Sequence, residues 1–250
     1  KFAETIWKKR QRKGVTLEEA YGLTSLNNDF GIMMVATGMA DAMISGVTSH
    51  YGDVMSPALK LIGPKPNLNH ISSMSIIMTK KGPLFIADTT VNLEPDVQTL
   101  VETTLMTAEE VKKFNIDPVI ALVSYSNFGS VKLTEHTKNL ERTRQTVAYL
   151  HKNHPELVVD GEMQMDFALN KELRSQKFPF SRLESKDVNI VIFPNLTSGN
   201  IVYKIMHEIG GAEVVGPILM GINKPIHVVP TECSVREIAN MSIIAVIDAQ

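Results

Sequence analysis

Val188-Asn189-Ile190-Val191-Ile192-Phe193 runs straight into Pro194-Asn195-Leu196-Thr197-Ser198-Gly199-Asn200, after which the pattern turns helical through Ile209. The first six residues have no polar face. A strand with no polar face is buried on both sides, as happens when helices cover both faces of a parallel sheet. An apolar strand, a polar turn and then a helix make one βα unit, and the chain repeats it in both directions from here.

Upstream, apolar strands are read at 71–78, 84–87, 119–123 and 157–159. Lys80-Lys81-Gly82-Pro83 reads as a hairpin connection between the first two. Val97, Leu100, Val101, Leu105, Ala108 and Val111 fall on one face of a helix over 95–114. A long polar helix is expected over 133–154 and another helix over 168–178. Downstream, 214–220 is an apolar strand and 234–248 an apolar helix. Nearer the start, Thr16 and Glu19 form a capping box. The basic run 8–13 sits on a helical pattern, and a helix over 28–37 leads to a strand at 42–44. Strands alternating with helices of 10–20 residues give an α/β class with mainly parallel sheets and right-handed crossovers. Gly63-Pro64-Lys65-Pro66-Asn67-Leu68-Asn69 is the one linker-like piece. It divides the chain into a first lobe (1–66 and 231–250) and a second α/β lobe (67–230).

Composition narrows the function. The chain has 250 residues, 44% hydrophobic and 21% charged, with 25 Lys+Arg against 27 Asp+Glu and a net charge of −2. Its length allows about 70% of the unfolded surface to be buried. Nucleic acid and membrane are poor partners for a chain with no basic surplus. No run reaches the ~18–20 apolar residues of a spanning helix. The single cysteine, Cys233, excludes a disulfide framework and fits a reducing, cytoplasmic setting. Lys1 stands where a Met would open a natural chain, inside a helical pattern, so a fragment of a longer polypeptide is expected.

Ligands of open α/β sheets sit beyond the carboxyl ends of the strands. Three such ends here are polar. Ser124-Tyr125-Ser126-Asn127-Phe128-Gly129-Ser130-Val131-Lys132 gathers hydroxyls, an amide and a lysine suited to a phosphate, or else is a turn satisfying its own backbone. Asn195, Ser198 and Asn200 belong to a strand-to-helix turn that suits an anion, or in which Ser198 or Thr197 serves as the N-cap. Asp160-Gly161-Glu162-Met163-Gln164-Met165-Asp166 brings three carboxylates that orient a ligand, work as acid and base, or cap the next helix. There is no Walker loop, dinucleotide fingerprint or nucleophile elbow. The seven histidines show no zinc spacing, so no metal site is read.

Several stretches resemble the phosphate acetyl/butyryltransferases: Gly38-Met39-Ala40-Asp41-Ala42-Met43-Ile44-Ser45-Gly46, Ala87-Asp88-Thr89-Thr90-Val91-Asn92, Asp160-Gly161-Glu162-Met163-Gln164, Ile192-Phe193-Pro194-Asn195-Leu196 and Gly216-Pro217-Ile218-Leu219-Met220-Gly221. The likeness runs from about Phe2 to Gln250, with the first βα units of the family's first lobe missing. It implies acetyl transfer between phosphate and coenzyme A, and a two-lobed α/β/α, isocitrate dehydrogenase-like fold around a cleft, usually dimeric. Phe178-Pro179-Phe180-Ser181-Arg182-Leu183, Asn223-Lys224-Pro225-Ile226-His227 and Ser234-Val235-Arg236-Glu237-Ile238 are more similar still to the acyltransferase-like C-terminal region of hybrid malic enzymes. That implies an N-terminal malic enzyme half, using NAD(P) and Mg2+ or Mn2+, in the same polypeptide.

The resemblance also exposes departures. Pro230 stands where the family's active members carry a serine, Thr231 where they carry an arginine, Glu237 where they carry an aspartate base, and Glu208 where they carry a further arginine. A phosphate monoester bears about two negative charges near neutral pH. Losing guanidinium groups and adding a carboxylate opposes that charge. Glu237 also reads as half of a capping box with Ser234. The expectation is therefore a non-catalytic regulatory region binding acetyl-CoA or coenzyme A through Ser124, Ser126, Asn127, Ser130, Lys132, Asn195, Ser198, Asn200 and Arg236, in a homo-oligomer of at least two subunits. The alternatives are a working phosphate acetyltransferase and a purely structural oligomerisation module.

Overall fold

Side-chain caps set many of the helix starts in the computed structural model, which describes residues 1–250. After α1 (Phe2–Arg10), Thr16 accepts from the Glu19 amide at 3.1 Å while the Glu19 carboxylate accepts from the Thr16 amide at 2.8 Å, opening α2 (Leu17–Leu23). Then come α3 (Asn27–Ala36), β1 (Met43–Gly46), α4 (Tyr51–Leu61), β2 (Ser72–Thr79) and β3 (Gly82–Ala87). The Asp96 carboxylate caps α5 (Val97–Lys112) through the Thr99 amide at 2.8 Å. β4 (Val119–Val123), α6 (Lys138–Asn153), β5 (Val158–Met163), α7 (Met165–Leu169), α8 (Lys171–Lys177), β6 (Ile190–Ile192), α9 (Leu196–Glu208), β7 (Val214–Met220), β8 (Ile226–Val229) and α10 (Val235–Asp248) complete the order. No helix is long and apolar enough to cross a membrane.

Several elements differ from the sequence reading, among them β8, which it lacks. α4 is absent from it because Gly52 and Pro57 interrupt the pattern, yet Val54, Met55, Ala58 and Leu61 are buried on one side of the helix. The helix expected over 168–178 is two short ones, since Asn170 leaves the helical region at φ −116°, ψ 97° and caps α8 through the Leu173 amide at 2.9 Å. The long helix begins at Lys138 rather than 133, because the Thr137 hydroxyl accepts from the Thr134 amide and donates to the Thr134 carbonyl in a preceding turn.

The chain folds as two units, Lys1–Asn69 with Gly216–Gln250, and His70–Val215. The return to the first unit falls at 215/216, where the sequence reading placed it at 230/231. β8 pairs in parallel with β1, from Met43 opposite Ile226 to Gly46 opposite Val229. The Lys65 amide donates to the Gly221 carbonyl and the Asn223 amide to the Gly63 carbonyl. Residues 216–230 thus belong with the first unit. Its core includes Ile32, Met33, Val54, Ala58, Ile226, Met241 and Ala245. His227 is buried there with Nε2 3.0 Å from Asp248 Oδ2, in the last turn of α10.

The second unit is built on a sheet of order β5-β4-β6-β3-β2-β7, of which β7 gives this unit only Val214 and Val215 before the chain passes to the first. β5–β4, β4–β6 and β6–β3 are parallel, and β2–β3 is the antiparallel hairpin. One face carries Ile77, Ile86, Ala121, Val123, Met163 and Val191, covered by Ala168 of α7 and by Val202, Tyr203 and Met206 of α9. The alternate residues Phe85, Ile120, Leu122, Ile190 and Ile192 are also buried, and α5 and α6 pack on these strands. The sheet is covered on both sides, as the apolar run 188–193 requires.

Gly46 adopts φ +120°, and a Cβ there would lie 2.0 Å from the Val229 carbonyl oxygen. Gly46→Ala is therefore expected to part β1 from β8 at a cost of about 2–4 kcal/mol, from a strained backbone and a lost close approach. Urea denaturation should show a lower midpoint; an unchanged midpoint would contradict the packing described.

Candidate functional site

The parallel strands β3, β4, β5 and β6 end at the same edge of the second unit's sheet, so the loops that follow them are neighbours. After β3, Asp88 is 5% exposed and organises its own loop. Oδ1 accepts from the Ser73 hydroxyl and from the amides of Thr90 and Val91 at 3.0 and 3.1 Å. Oδ2 accepts from the Asn92 amide at 2.9 Å and its side-chain nitrogen at 2.7 Å. The α9 turn is laid against this loop. Asn200 Nδ2 donates to the Thr89 carbonyl at 3.1 Å, and a Cβ on Gly199 would meet the Asp88 carbonyl oxygen at 2.2 Å. Only glycine allows that approach.

The loop after β4 is held by the strand beside it. Glu162, 2% exposed at the end of β5, accepts from the Ser126 hydroxyl at 2.8 Å and the Gly129 amide at 2.9 Å. Arg144 of α6 grips the same carboxylate through Nε at 2.9 Å and Nη2 at 3.0 Å, and donates to the Val131 carbonyl at 2.8 Å. Asn127 and Gln164 exchange two bonds, at 3.0 and 2.7 Å. Burial pushes the Glu162 carboxyl up, but the bonds from Arg144, Gly129 and Ser126 outweigh it and hold the group below its usual range.

Two clusters thus form along one edge. Ser126 and Asn127 meet Glu162, Gln164 and Arg144, with Ser130 bonded to Ser126 and the Ser124 amide to the Met163 carbonyl, while Asn200 and the Leu196 amide meet the loop from Asp88 to Leu93 and Asn195 bonds Ser198. Within the first, the Ser126 side chain is fully buried and spent on Glu162, so it braces the loop instead of lining its surface. Ser124 and Asn127 are half-buried; Ser130 and Lys132 are exposed. Asn195, not Ser198 or Thr197, is the N-cap of α9, accepting from the Ser198 amide at 3.0 Å and its hydroxyl at 2.9 Å. An amide side chain reaches the third amide of the helix as well as a hydroxyl does. The three carboxylates of 160–166 do not act as a group. Asp160 accepts from the Ser181 hydroxyl and the Arg182 amide, both at 2.9 Å, Glu162 serves the loop, and Asp166 is exposed.

The remaining candidates lie elsewhere. Arg236, Pro230 and Thr231 are exposed in the first unit, around the start of α10. Glu237 is held in a capping box, with the Ser234 amide donating to its carboxylate at 2.6 Å and its own amide donating to the Ser234 hydroxyl at 3.2 Å. Glu208 is exposed at the end of α9, 2.9 Å from His207. Burial and the Glu237 charge push the Cys233 thiol up, away from the thiolate. Sequence reading missed Arg144, one basic residue among several on a polar helix. It also missed Ser73, whose hydroxyl serves the Asp88 loop from a strand that reads only as apolar.

The family model described as phosphate acetyl/butaryl transferase matches residues 1–246. The NADP-dependent malic enzyme of Escherichia coli is 40% identical over 242 residues, covering 96% of this chain and 31% of that protein. The chain thus spans about a third of the length of the malic enzymes it matches. A phosphate acetyltransferase of Staphylococcus aureus is 35% identical over 240 residues, 96% of this chain and 73% of that one. Among solved structures, a phosphotransacetylase from Streptococcus pyogenes superposes with a TM-score of 0.89 at 34% identity, covering 99% of this chain and 73% of the other.

A carboxylate held below its ordinary value stabilises the fold above that value, and the contribution fades as pH falls from about 4.5 through the lower folded value. Glu162→Gln should therefore lower the denaturation midpoint most above pH 5, with the gap to the parent chain narrowing toward pH 3. Hydrogen exchange at Ser126–Val131 should rise in parallel. A gap independent of pH would mean that Glu162 is not the charged brace of this loop.

Proposed function

The chain belongs to the phosphate acetyl/butaryl transferase family, and from that premise we propose that it is a regulatory, non-catalytic member that binds acetyl-CoA. The observation that carries this reading is the start of α10. Pro230 offers neither hydroxyl nor N–H, Thr231 brings no charge, and the Glu237 carboxylate is committed to its helix cap. Resemblance places the family's serine, arginine and aspartate base at these three positions. An acyl phosphate donor needs cations and donors aimed at its phosphate, and removing one such donor costs a few kcal/mol. Glu208, where the resemblance expects an arginine, adds charge of the wrong sign. A thioester carries its charge far from the reacting carbon, so binding it survives these losses.

For contacts with acetyl-CoA, the exposed Ser130 and Lys132 beside half-buried Ser124 and Asn127 supply an anion with one cation and hydroxyl or amide partners. Asn195, Ser198 and Asn200 extend that edge. In the proposed parent the N-terminal half oxidatively decarboxylates malate with NAD(P) and a divalent metal, in the cytoplasm. Acetyl-CoA regulates it by binding one state better than another. Self-association of at least two copies is part of the reading. Ile201, Ile205 and Ile209 form an exposed apolar row at four-residue spacing on and just beyond α9, which suits a second copy. The second reading is an active phosphate acetyltransferase, favoured by the 35% identity over 73% of the S. aureus protein.

Calorimetric titration with acetyl-CoA should give saturable binding, weakened about tenfold, or ~1.4 kcal/mol, by Ser130→Ala with Lys132→Ala. Acetyl phosphate with coenzyme A should give no turnover, while Pro230→Ser with Thr231→Arg should gain some. Robust turnover by the unaltered chain would establish the second reading instead. Absence of any heat with acetyl-CoA would leave only a structural module.

A further inference from the structure

At the opposite edge of the second unit's sheet, where β3 and β6 begin, lies an open cavity of about 850 Å³. Five cations line it, Lys80, Lys81, Lys171, Arg174 and Lys186, against the single carboxylate of Asp187. In a chain with 25 basic and 27 acidic residues this is a strong local surplus. Asp187 pairs with Lys171 at 2.9 Å and also feels the charges of Lys81 and Arg174, so this one carboxylate is shared among several of the cations.

Arg174 makes the surplus permanent. It is fully buried, and its donors go to carbonyl oxygens: Leu183 twice, at 3.0 and 2.8 Å, Phe167 at 2.6 Å, Ala168 at 2.8 Å, and Lys186. Its hydrogen bonds are thereby satisfied by carbonyls alone, and the charges of Asp187, Asp160 and Glu172 offset its own only in part. A buried positive charge beneath a concave surface projects its field into the opening, and low-dielectric walls concentrate it. Leu84, Ile116, Leu169 and Val188 supply such walls. None of these residues belongs to the carboxyl-edge clusters.

From this juxtaposition of a buried guanidinium with four lysines around a single lining carboxylate, we infer a second ligand site, for a small polyphosphorylated metabolite. A single carboxylate would answer only part of the charge, whereas clustered phosphates match lysines spread around one rim. Lysine suits a flexible polyphosphate as a set of mobile point charges, and the apolar walls accept the uncharged body of the ligand. The site does not depend on the acetyl-CoA reading, because it lies on the other edge of the sheet.

The test uses the whole 15N-labelled chain titrated with sodium tripolyphosphate in 150 mM NaCl. Saturable, one-to-one shifts are expected at the amides of residues 79–82, 84 and 186–189, with 124–132 unmoved. Lys81→Gln with Lys186→Gln should weaken binding at least tenfold, while Lys8→Gln with Lys13→Gln on the first helix and its following turn should leave it unchanged. Both pairs are exposed, so their amide spectra should keep the parent dispersion. Shifts confined to 124–132, equal weakening by both pairs, or equal affinity for a hexaglutamate peptide would each overturn the inference. The last would mean that the cavity reads charge density and not phosphate.

Discussion

Much of the second unit's working edge hangs on one desolvated anion. Glu162 is taken out of water, and that cost is offset only because Arg144, Ser126 and Gly129 all converge on its two oxygens. Three chain segments, the end of β5, the middle of α6 and the loop after β4, are tied at one point. A charge-assisted pair reinforced by a hydroxyl and an amide is directional in a way that apolar packing is not. The apolar faces of the sheet decide that β4 and β5 lie side by side. The carboxylate decides where the residues between them point.

The same division explains what could be read in advance. β4 and β7 fall on the expected residues, because both are apolar runs bounded by polar turns. The hairpin of β2 and β3 was equally legible in Lys80-Lys81-Gly82-Pro83. α4 was hidden by Gly52 and Pro57, whose local cost is met by burying Val54, Ala58 and Leu61 against the rest of its unit. β8 is four residues long and gains its identity only by pairing with β1, far away in sequence. At the site, the hydroxyl-rich loop stood out from composition, but which hydroxyls face outward did not. Ser126 and Ser130 are alike as letters; one is buried under Glu162 and the other is exposed, and only the position of Arg144 decides between them.

Charge is unevenly spent over the molecule. Around the start of α10, the positions that the family resemblance makes catalytic hold a proline, an uncharged hydroxyl and a carboxylate tied to its own helix. At the amino ends of β3 and β6, cations gather with one carboxylate among them. The near-neutral total conceals both facts, so net charge is a poor guide to what such a chain attracts. Local fields set by a few buried or committed groups are a better one.

The second unit is one continuous stretch of chain, whereas the first is assembled from two stretches that flank it. During synthesis the second unit is complete in sequence while β1 still has no partner, because Ile226–Val229 have yet to emerge. The unit that begins first is thus the one completed last. The portion made first must wait, with Met43–Gly46 an unpaired edge, until the last strand leaves the ribosome.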